Sequence, residues 1–392
     1  MIKSRFSLNY ILPLLAIFVV SFVLSLFLLQ LIGGIIFILW LFEKWDEKKK
    51  ILDILTISVF VFGIVRLLSI YFSAFPSESH EALYKEALFY VAIVFQCFYL
   101  KTLSKKMLLN LVLIFILGAA AMSVVGITRF IFGNVERAQA FSSSYTVFSS
   151  YLMVALGLAL FFPRGFQNNK SLFYWSMIIL ILFIGILSSL GRTNILISLL
   201  LIITAVVLKK INWKQVLILT TFFAALSIIY FYLPEKQIEN KFESRIENFT
   251  QLSDRDIIWK GAKEIFFEKP IIGFGPRTFE KIFPFWDQFA DKKIGGWHND
   301  FLQIYFESGL LGLFSFIGLL IVSLVVSIKQ IRNKKIDADL RNLSTSILVT
   351  IIGLILSAIT AGFITSVVLS IVFVFLISIL SRIELEKTDM VN

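Results

Sequence analysis

The sequence predicts an all-α polytopic membrane protein of about 12 transmembrane helices, with a helical extracytoplasmic lid between the ninth and tenth spans. Three observations carry this prediction. Of 392 residues, 58% are hydrophobic, and the mean hydropathy is +0.87. Runs of about 20 apolar residues recur along the chain, each long enough to cross a hydrocarbon core of roughly 30 Å. Nearly all the basic residues lie in the connections between these runs. Backbone groups in lipid must be satisfied within a segment, which makes the runs helices. The alternating, turn-punctuated pattern of a barrel is missing.

The spans fall near residues 9–24, 26–42, 52–73, 86–100, 107–132, 145–162, 171–189, 193–208, 214–232, 301–328, 343–359 and 363–381. Met1 to Arg5 followed by an apolar run looks like a secretion signal. No small-residue cleavage site follows, however, and the apolar stretch continues to Phe42, so two retained helices are expected. Cys97 is alone in an apolar run, which rules out a disulfide within the chain and leaves the redox compartment open.

The formal charge of +11 is explained by topology. Lys3, Arg5, Lys44, Lys48 to Lys50, Lys101, Lys105, Lys106, Arg164, Lys170, Lys209, Lys210, Lys214, the cluster Lys329 to Arg341, Arg382 and Lys387 all fall on alternate connections. The opposite short loops hold Lys85, Arg137 and Arg192. The positive-inside rule then puts both termini in the cytoplasm, and no nucleic-acid partner is expected.

One long stretch, from about Pro234 to Asp300, lies on the outer side by the same count. Three regions result: membrane helices 1–233, an extracytoplasmic loop with amphipathic helices at 234–300, and membrane helices with a cytoplasmic tail at 301–392. In the loop, Ile238, Phe242, Ile246 and Phe249 recur at helical spacing. Ser253 and Asp256 open a second helix, whose apolar face is Ile257, Ile258, Ala262, Ile265 and Phe266. Pro270 stops it, and Gly273-Phe274-Gly275-Pro276 makes a turn, with Arg277 beside it as a further substrate-binding candidate.

Several arginines fall on the outer side. Arg66 and Arg129 lie inside spans, where a charge needs a partner or a route to the headgroups. Either they bind substrate or they snorkel. Arg192 sits in the very short turn Gly191-Arg192-Thr193-Asn194, with Thr193 or Asn194 available as a helix cap. Arg255 opens the second loop helix, and Arg137 precedes the sixth span. Guanidinium groups pair with phosphate through two parallel charge-assisted hydrogen bonds, so such a set suits a phosphorylated lipid headgroup. Fixed cations there also stabilise charge developing on a pyrophosphate leaving group.

His298 is one of two histidines, and it stands in Gly296-Trp297-His298-Asn299-Asp300 where the loop meets a span. Asp300 and Gln303 have capping-box spacing, so the tenth span begins at Asp300. The positive end of that helix and the nearby arginines favour a neutral imidazole, which can accept a proton from a sugar hydroxyl. A structural histidine bonded to a carbonyl is the alternative reading. His80, in the polar loop Pro76 to Glu81, is expected to be solvated. No cluster has metal-ligand spacing and no phosphate-binding or dinucleotide loop occurs, so neither a metal nor a cofactor is expected.

These residues resemble the superfamily of O-antigen ligases and polymerases, bacterial glycan transferases of the cell envelope. The family's Arg-x3-Leu motif is matched by Arg192 and Leu196. Its His-Asn-x9-Gly-x-x-Gly motif is matched by His298, Asn299, Gly309 and Gly312. An arginine ahead of a Trp and a Pro-x-x-Gly turn is matched by Arg255, Trp259, Pro270 and Gly273. Arg137 to Phe141 resembles the segment leading into an outer-face span. After Gly312 the chain has Leu313-Phe314, where ligases often show Thr-Val, which keeps ligase and polymerase both open.

The resemblance implies a glycan donor on undecaprenyl pyrophosphate and a saccharide acceptor, either the lipid A core or a lipid-linked repeat. It assigns Arg192 and Arg255 to the pyrophosphate and His298 to the acceptor hydroxyl. Arg66, Arg129, Arg137, Arg277 and Asn299 are the expected substrate-binding residues. A transporter or lipid flippase is the non-enzymatic alternative, and it predicts midplane sites with broken helices in related halves.

Overall fold

The computed structural model describes residues 2–141, 144–163, 169–232, 255–288 and 295–389. Fourteen helices of ten or more residues occur among them. In chain order they are α1 (Leu8–Leu24), α2 (Leu26–Leu41), α3 (Ile54–Tyr71), α4 (Pro76–Lys85), α5 (Ala87–Leu100), α6 (Lys105–Ile131) and α7 (Tyr145–Phe161). They continue with α8 (Asn169–Ser188), α9 (Arg192–Val207), α10 (Trp213–Tyr232), α11 (Arg255–Glu264), α12 (Asp300–Arg332), α13 (Ala338–Ala358) and α14 (Val367–Asp389). Among the described residues there are no strands. Seven stretches are long and apolar enough to cross a membrane, and four further apolar helices are shorter. The molecule is a multi-pass helical membrane protein.

Each of the twelve apolar runs carries a helix. Ser side chains cap several of them, as Ser7, Ser25, Ser104 and Ser144 accept from the first free backbone amides of α1, α2, α6 and α7. One short helix was unexpected. Pro76 to Glu81 reads as a loop, yet it forms the start of α4, with Pro76 in the first turn, where proline lacks nothing a helix needs. The expected amphipathic helix around Ile238 to Phe249 lies outside the described residues.

Two helices form the centre of the bundle. Every residue of α7 from Phe148 to Phe161 is buried, and so is every residue of α14 from Leu369 to Ile383. A helix surrounded by others needs no polar face, so neither has an amphipathic pattern. Buried polar side chains tie the helices together, for example Gln330 Nε2 to the Leu380 carbonyl at 2.8 Å and Ser344 Oγ to Gln330 Oε1 at 2.8 Å.

The connections sort into two ends. At one end Lys101 pairs with Asp53 at 2.9 Å, Lys105 with Asp337 and Asp339 at 3.0 Å, and Lys210 bonds Asn342 at 2.7 Å. Residues of the second, fourth, eighth and tenth span connections therefore gather at a single end. Arg192, Arg255 and His298 occupy the opposite one, called the site end below.

The tenth run was expected as one continuous helix. Instead, α12 breaks at Gly309 (φ 62°, ψ −161°). Segment 270–275 lies against the break and supplies the missing partners. Leu310 N donates to the Pro270 carbonyl (2.7 Å) and Leu311 N to Ile271 (3.3 Å), while Phe274 N reaches Phe306 (2.8 Å) and Gly275 N reaches Glu307 (3.0 Å). Unpaired backbone groups inside a bundle are costly, so the break and the segment require each other. A Cβ on Gly309 would overlap the Ile271 backbone, and one on Gly273 would stand 2.5 Å from Ser308 N. Pro270, Gly273 and Gly309 thus form one packing unit. Gly309→Val is expected to lower stability by at least ~1–3 kcal/mol, the cost of a side chain in that backbone region alone. Gly318→Ala, which meets nothing within 4 Å, is the control. Equal thermal unfolding of the two purified variants would refute this reading.

Candidate functional site

Arg192 is delivered by a tight turn. Leu190 adopts φ 54°, and α9 starts at Arg192 with Gly191 as its cap. Neither Thr193 nor Asn194 caps the helix, contrary to expectation. Asn194 is buried, donating to Ser149 Oγ (2.7 Å) and Ser150 Oγ (2.9 Å) and accepting from Ser357 Oγ (3.2 Å). Thr193 Oγ1 accepts from Thr360 Oγ1 at 2.9 Å. The turn is therefore locked to α7 and to the α13–α14 connection.

Arg255 comes from α11, whose apolar side buries Ile258, Gly261, Ala262 and, just beyond the helix, Ile265. These pack with Phe274, Phe279, Phe283, Trp297, Tyr305 and Phe306 into a separate small core above the bundle. Arg255 Nη2 donates to the Thr360 carbonyl at 2.8 Å. Burial lowers its pKa; Tyr145 acts against that, and the neighbouring charge of Arg192 lowers it further.

His298 follows the fully buried Trp297 and takes φ 50°, a left-handed conformation that costs a non-glycine residue energy. Trp297 stacks on Phe306 with centroids 4.0 Å apart, which fixes the turn. The imidazole has solvent access, yet partial burial and the charge of Arg255 hold its pKa below the usual histidine value. The cause is physical: a cation beside a partly desolvated ring disfavours a second cation. His298, Arg255 and Arg192 thus share one electropositive neighbourhood.

The start of α12 at Asp300 matches expectation, but the capping differs. Asn299 is the cap, accepting from Phe301 N (2.9 Å) and Leu302 N (3.1 Å) and donating to the Ile359 carbonyl (3.0 Å). Asp300 instead accepts from Phe363 N (2.6 Å) and Ile364 N (3.1 Å). Asn299, expected on substrate, is a structural clamp here. The end of α13 and the α13–α14 connection form a hub: Ser357, Ile359, Thr360, Phe363 and Ile364 bind the elements carrying Arg192, Arg255 and His298.

The remaining arginines separate by partner. Arg66, expected on substrate or snorkelling, does neither. It is 2% exposed and bonds Glu86 and Glu307 at 2.6 Å each, with Ser308 Oγ at 3.3 Å. The cavity beside it, bordered by Glu86, Tyr90 and Thr365, has a volume of about 10 Å³, room for one water and not for a sugar. Arg129, expected on substrate, bonds the carbonyls of Gln139 and Ala140 and so pins the segment before α7. Arg277, also expected on substrate, pairs with Glu81 at 3.4 Å on the surface, and its backbone N–H donates to Glu307 at 2.8 Å. Arg137 lies 4.1 Å from the centre of the Tyr145 ring. Since Tyr145 also acts on Arg255, the ring lies between the two arginines.

Three participants escape a reading of the sequence. Tyr145 and Thr360 carry no motif, and only the packing of α7 and α13 brings them to Arg255. Glu307 did carry a signal: an acidic residue inside an apolar run, as Arg66 is a basic one, and such residues pair.

Fold and candidate site together define a multi-pass helical membrane protein with Arg192, Arg255 and His298 gathered at one end of the bundle. Residues 177–317 match the family model described as O-antigen ligase. The resemblance to that superfamily therefore holds over the stretch that carries Arg192, Arg255 and His298. The comparison with curated proteins gives no match.

Proposed function

We propose that the protein is an O-antigen ligase-like glycosyltransferase that moves a glycan from undecaprenyl pyrophosphate to an acceptor sugar hydroxyl of the lipid A core. The reaction would take place at the outer face of the cytoplasmic membrane, in a twelve-span protein with both termini in the cytoplasm and residues 234–300 as the lid. The observation that carries this reading is the shared neighbourhood of His298, Arg255 and Arg192. Two guanidinium groups meet there beside an imidazole biased towards its neutral form. A bound diphosphate would interact favourably with both cations.

In this reading Arg192 and Arg255 hold the pyrophosphate, with Arg137 at the rim. Neutral His298 accepts the proton of the acceptor hydroxyl as the new bond to the anomeric carbon forms. The bond from that carbon to the phosphate oxygen breaks, and undecaprenyl pyrophosphate leaves with its added charge on the arginines.

A repeat-unit polymerase is favoured by one feature only, Leu313-Phe314 after Gly312. Deletion of the gene separates the two: a lost ligase strands long chains on the lipid carrier, whereas a lost polymerase leaves single repeats on the core. Unaltered surface glycans and carriers would refute both. The transporter alternative predicted broken helices, and α12 is broken. That break, however, is filled by segment 270–275 of the same chain, and the arginine–histidine set lies at the bundle end.

The pH dependence has a definite sign. A base with a lowered pKa stays neutral to a lower pH, so transfer should hold through neutrality and fall only below the ordinary histidine value of about 6.5. Arg255→Met removes a cation and should raise the His298 pKa. NMR titration of His298 in a His80→Gln background measures this without requiring activity. An unchanged or lowered pKa would disprove the coupling.

A further inference from the structure

The segment that follows α11 carries its own apolar surface. Phe267 is 83% exposed and Ile271 62%, and neither belongs to the small core above the bundle. Main-chain bonds fix their height along α12. Phe266 is level with Tyr305, whose hydroxyl donates to its carbonyl at 2.6 Å and whose ring stacks on it at 4.6 Å. Pro270 and Ile271 are level with Leu310 and Leu311, and Phe274 returns to the level of Phe306. The chain therefore descends along α12 from 266 to 271 and climbs back by 274.

The register of α12 gives this descent a depth. Lys329, at the lysine end, lies 20 residues from Gly309. At roughly 1.5 Å per residue that is about 30 Å, the thickness of a hydrocarbon core. The break at Gly309 accordingly marks the far edge of the apolar band. Just inside it, Leu311 and Phe314 are 48% and 64% exposed on α12, continuous with Ile271. Glu268 and Lys269 lie between the two apolar side chains, at headgroup height, where charges are solvated and lysine stems reach outward.

We infer that residues 266–271 form an interfacial anchor that dips into the lipid at the site end, with Phe267 and Ile271 at the boundary between acyl chains and headgroups. The occupant of this surface is bilayer lipid. Such anchors bury their apolar side by roughly 5–10 Å, which matches a descent of five residues along a helix. The consequence is mechanical: α11, which bears Arg255, is tethered to the membrane plane on one side and to Thr360 on the other. The inference rests on the membrane register of α12, not on glycan transfer.

Cys97 is the sole cysteine and is buried, so labelled single-cysteine variants in a Cys97→Ser background test this. Phe267→Cys, Leu311→Cys and Asp287→Cys each carry bimane, in full-length protein reconstituted into phosphatidylcholine–phosphatidylglycerol vesicles. Doxyl-lipid quenching at 267 should approach that at 311 and exceed that at 287 by about threefold, with iodide quenching in the reverse order. Iodide quenching at 267 equal to that at 287 would overturn the anchor. Protection from both quenchers, with cross-linking between copies, would overturn it in favour of a protein interface. Absence of lipid quenching at 311 would remove the register itself, whatever the fate of the transferase reading.

Discussion

Replacement of His298 by asparagine is expected to reduce transfer about 10²–10⁴-fold, the range for loss of a positioned general base. Asparagine is the informative choice. It tolerates the left-handed backbone at this position, so the turn between Trp297 and the Asn299 cap should survive. It cannot take up a proton near neutral pH. The purified variant should unfold thermally within a degree or two of the parent, because neither the Trp297–Phe306 stack nor the Asn299 cap involves the imidazole. Arg192→Ala should cost about 10²–10³-fold if its guanidinium meets the leaving pyrophosphate. Turnover at the parent rate in either variant removes that residue from the mechanism, and His298 would then be a structural turn residue.

Arg66→Leu should behave in the opposite way, with a loss of stability of about 3–5 kcal/mol, since removing one partner leaves buried charge uncompensated. Two carboxylates depend on this guanidinium. Glu307 is the deeper, 2% exposed at its side chain, and it also accepts from the Arg277 backbone. Arg66 thereby links α3 and α5 to the lower part of the first segment of α12, one residue pair before the Gly309 break. The test is a double-mutant cycle on thermal unfolding, with Arg66→Leu, Glu307→Gln and the pair. The double variant should be less destabilised than the sum of the singles, because Glu307→Gln removes one of the orphaned charges. Strict additivity would show that the pair contributes nothing beyond its packing. A large loss of transfer in folded Arg66→Leu protein would return Arg66 to the substrate.

The contrast between Arg66 and Arg255 shows what a one-dimensional reading can and cannot do. Sequence position alone places both arginines towards the same side of the bundle and gives them similar claims on a phosphate. The deeper partner of Arg66, Glu307, lies 241 residues away along the chain, and Thr360 lies 105 from Arg255. Arg66 meets two carboxylates and is neutralised, whereas Arg255 meets a carbonyl, Tyr145 and another cation. The charge available to a ligand is set by those partners, and they come from other helices. Asn299 makes the same point: its spacing after His298 fits a motif, yet its amide is spent on a helix cap and on Ile359.

The helical class, the twelve apolar runs, the gathering of most lysines in alternate connections and the start of α12 at Asp300 were already legible along the chain. These follow from local rules: a run must satisfy its own backbone in lipid, and a cap acts on the amides just after it. Tertiary packing alone set which arginines pair with carboxylates, that α12 breaks at Gly309 against segment 270–275, and that the α13–α14 connection ties together the elements carrying Arg192, Arg255 and His298. Those outcomes depend on side chains and carbonyls brought together from distant parts of the chain. Distance along the sequence carries no record of such pairings, because helix packing sets them.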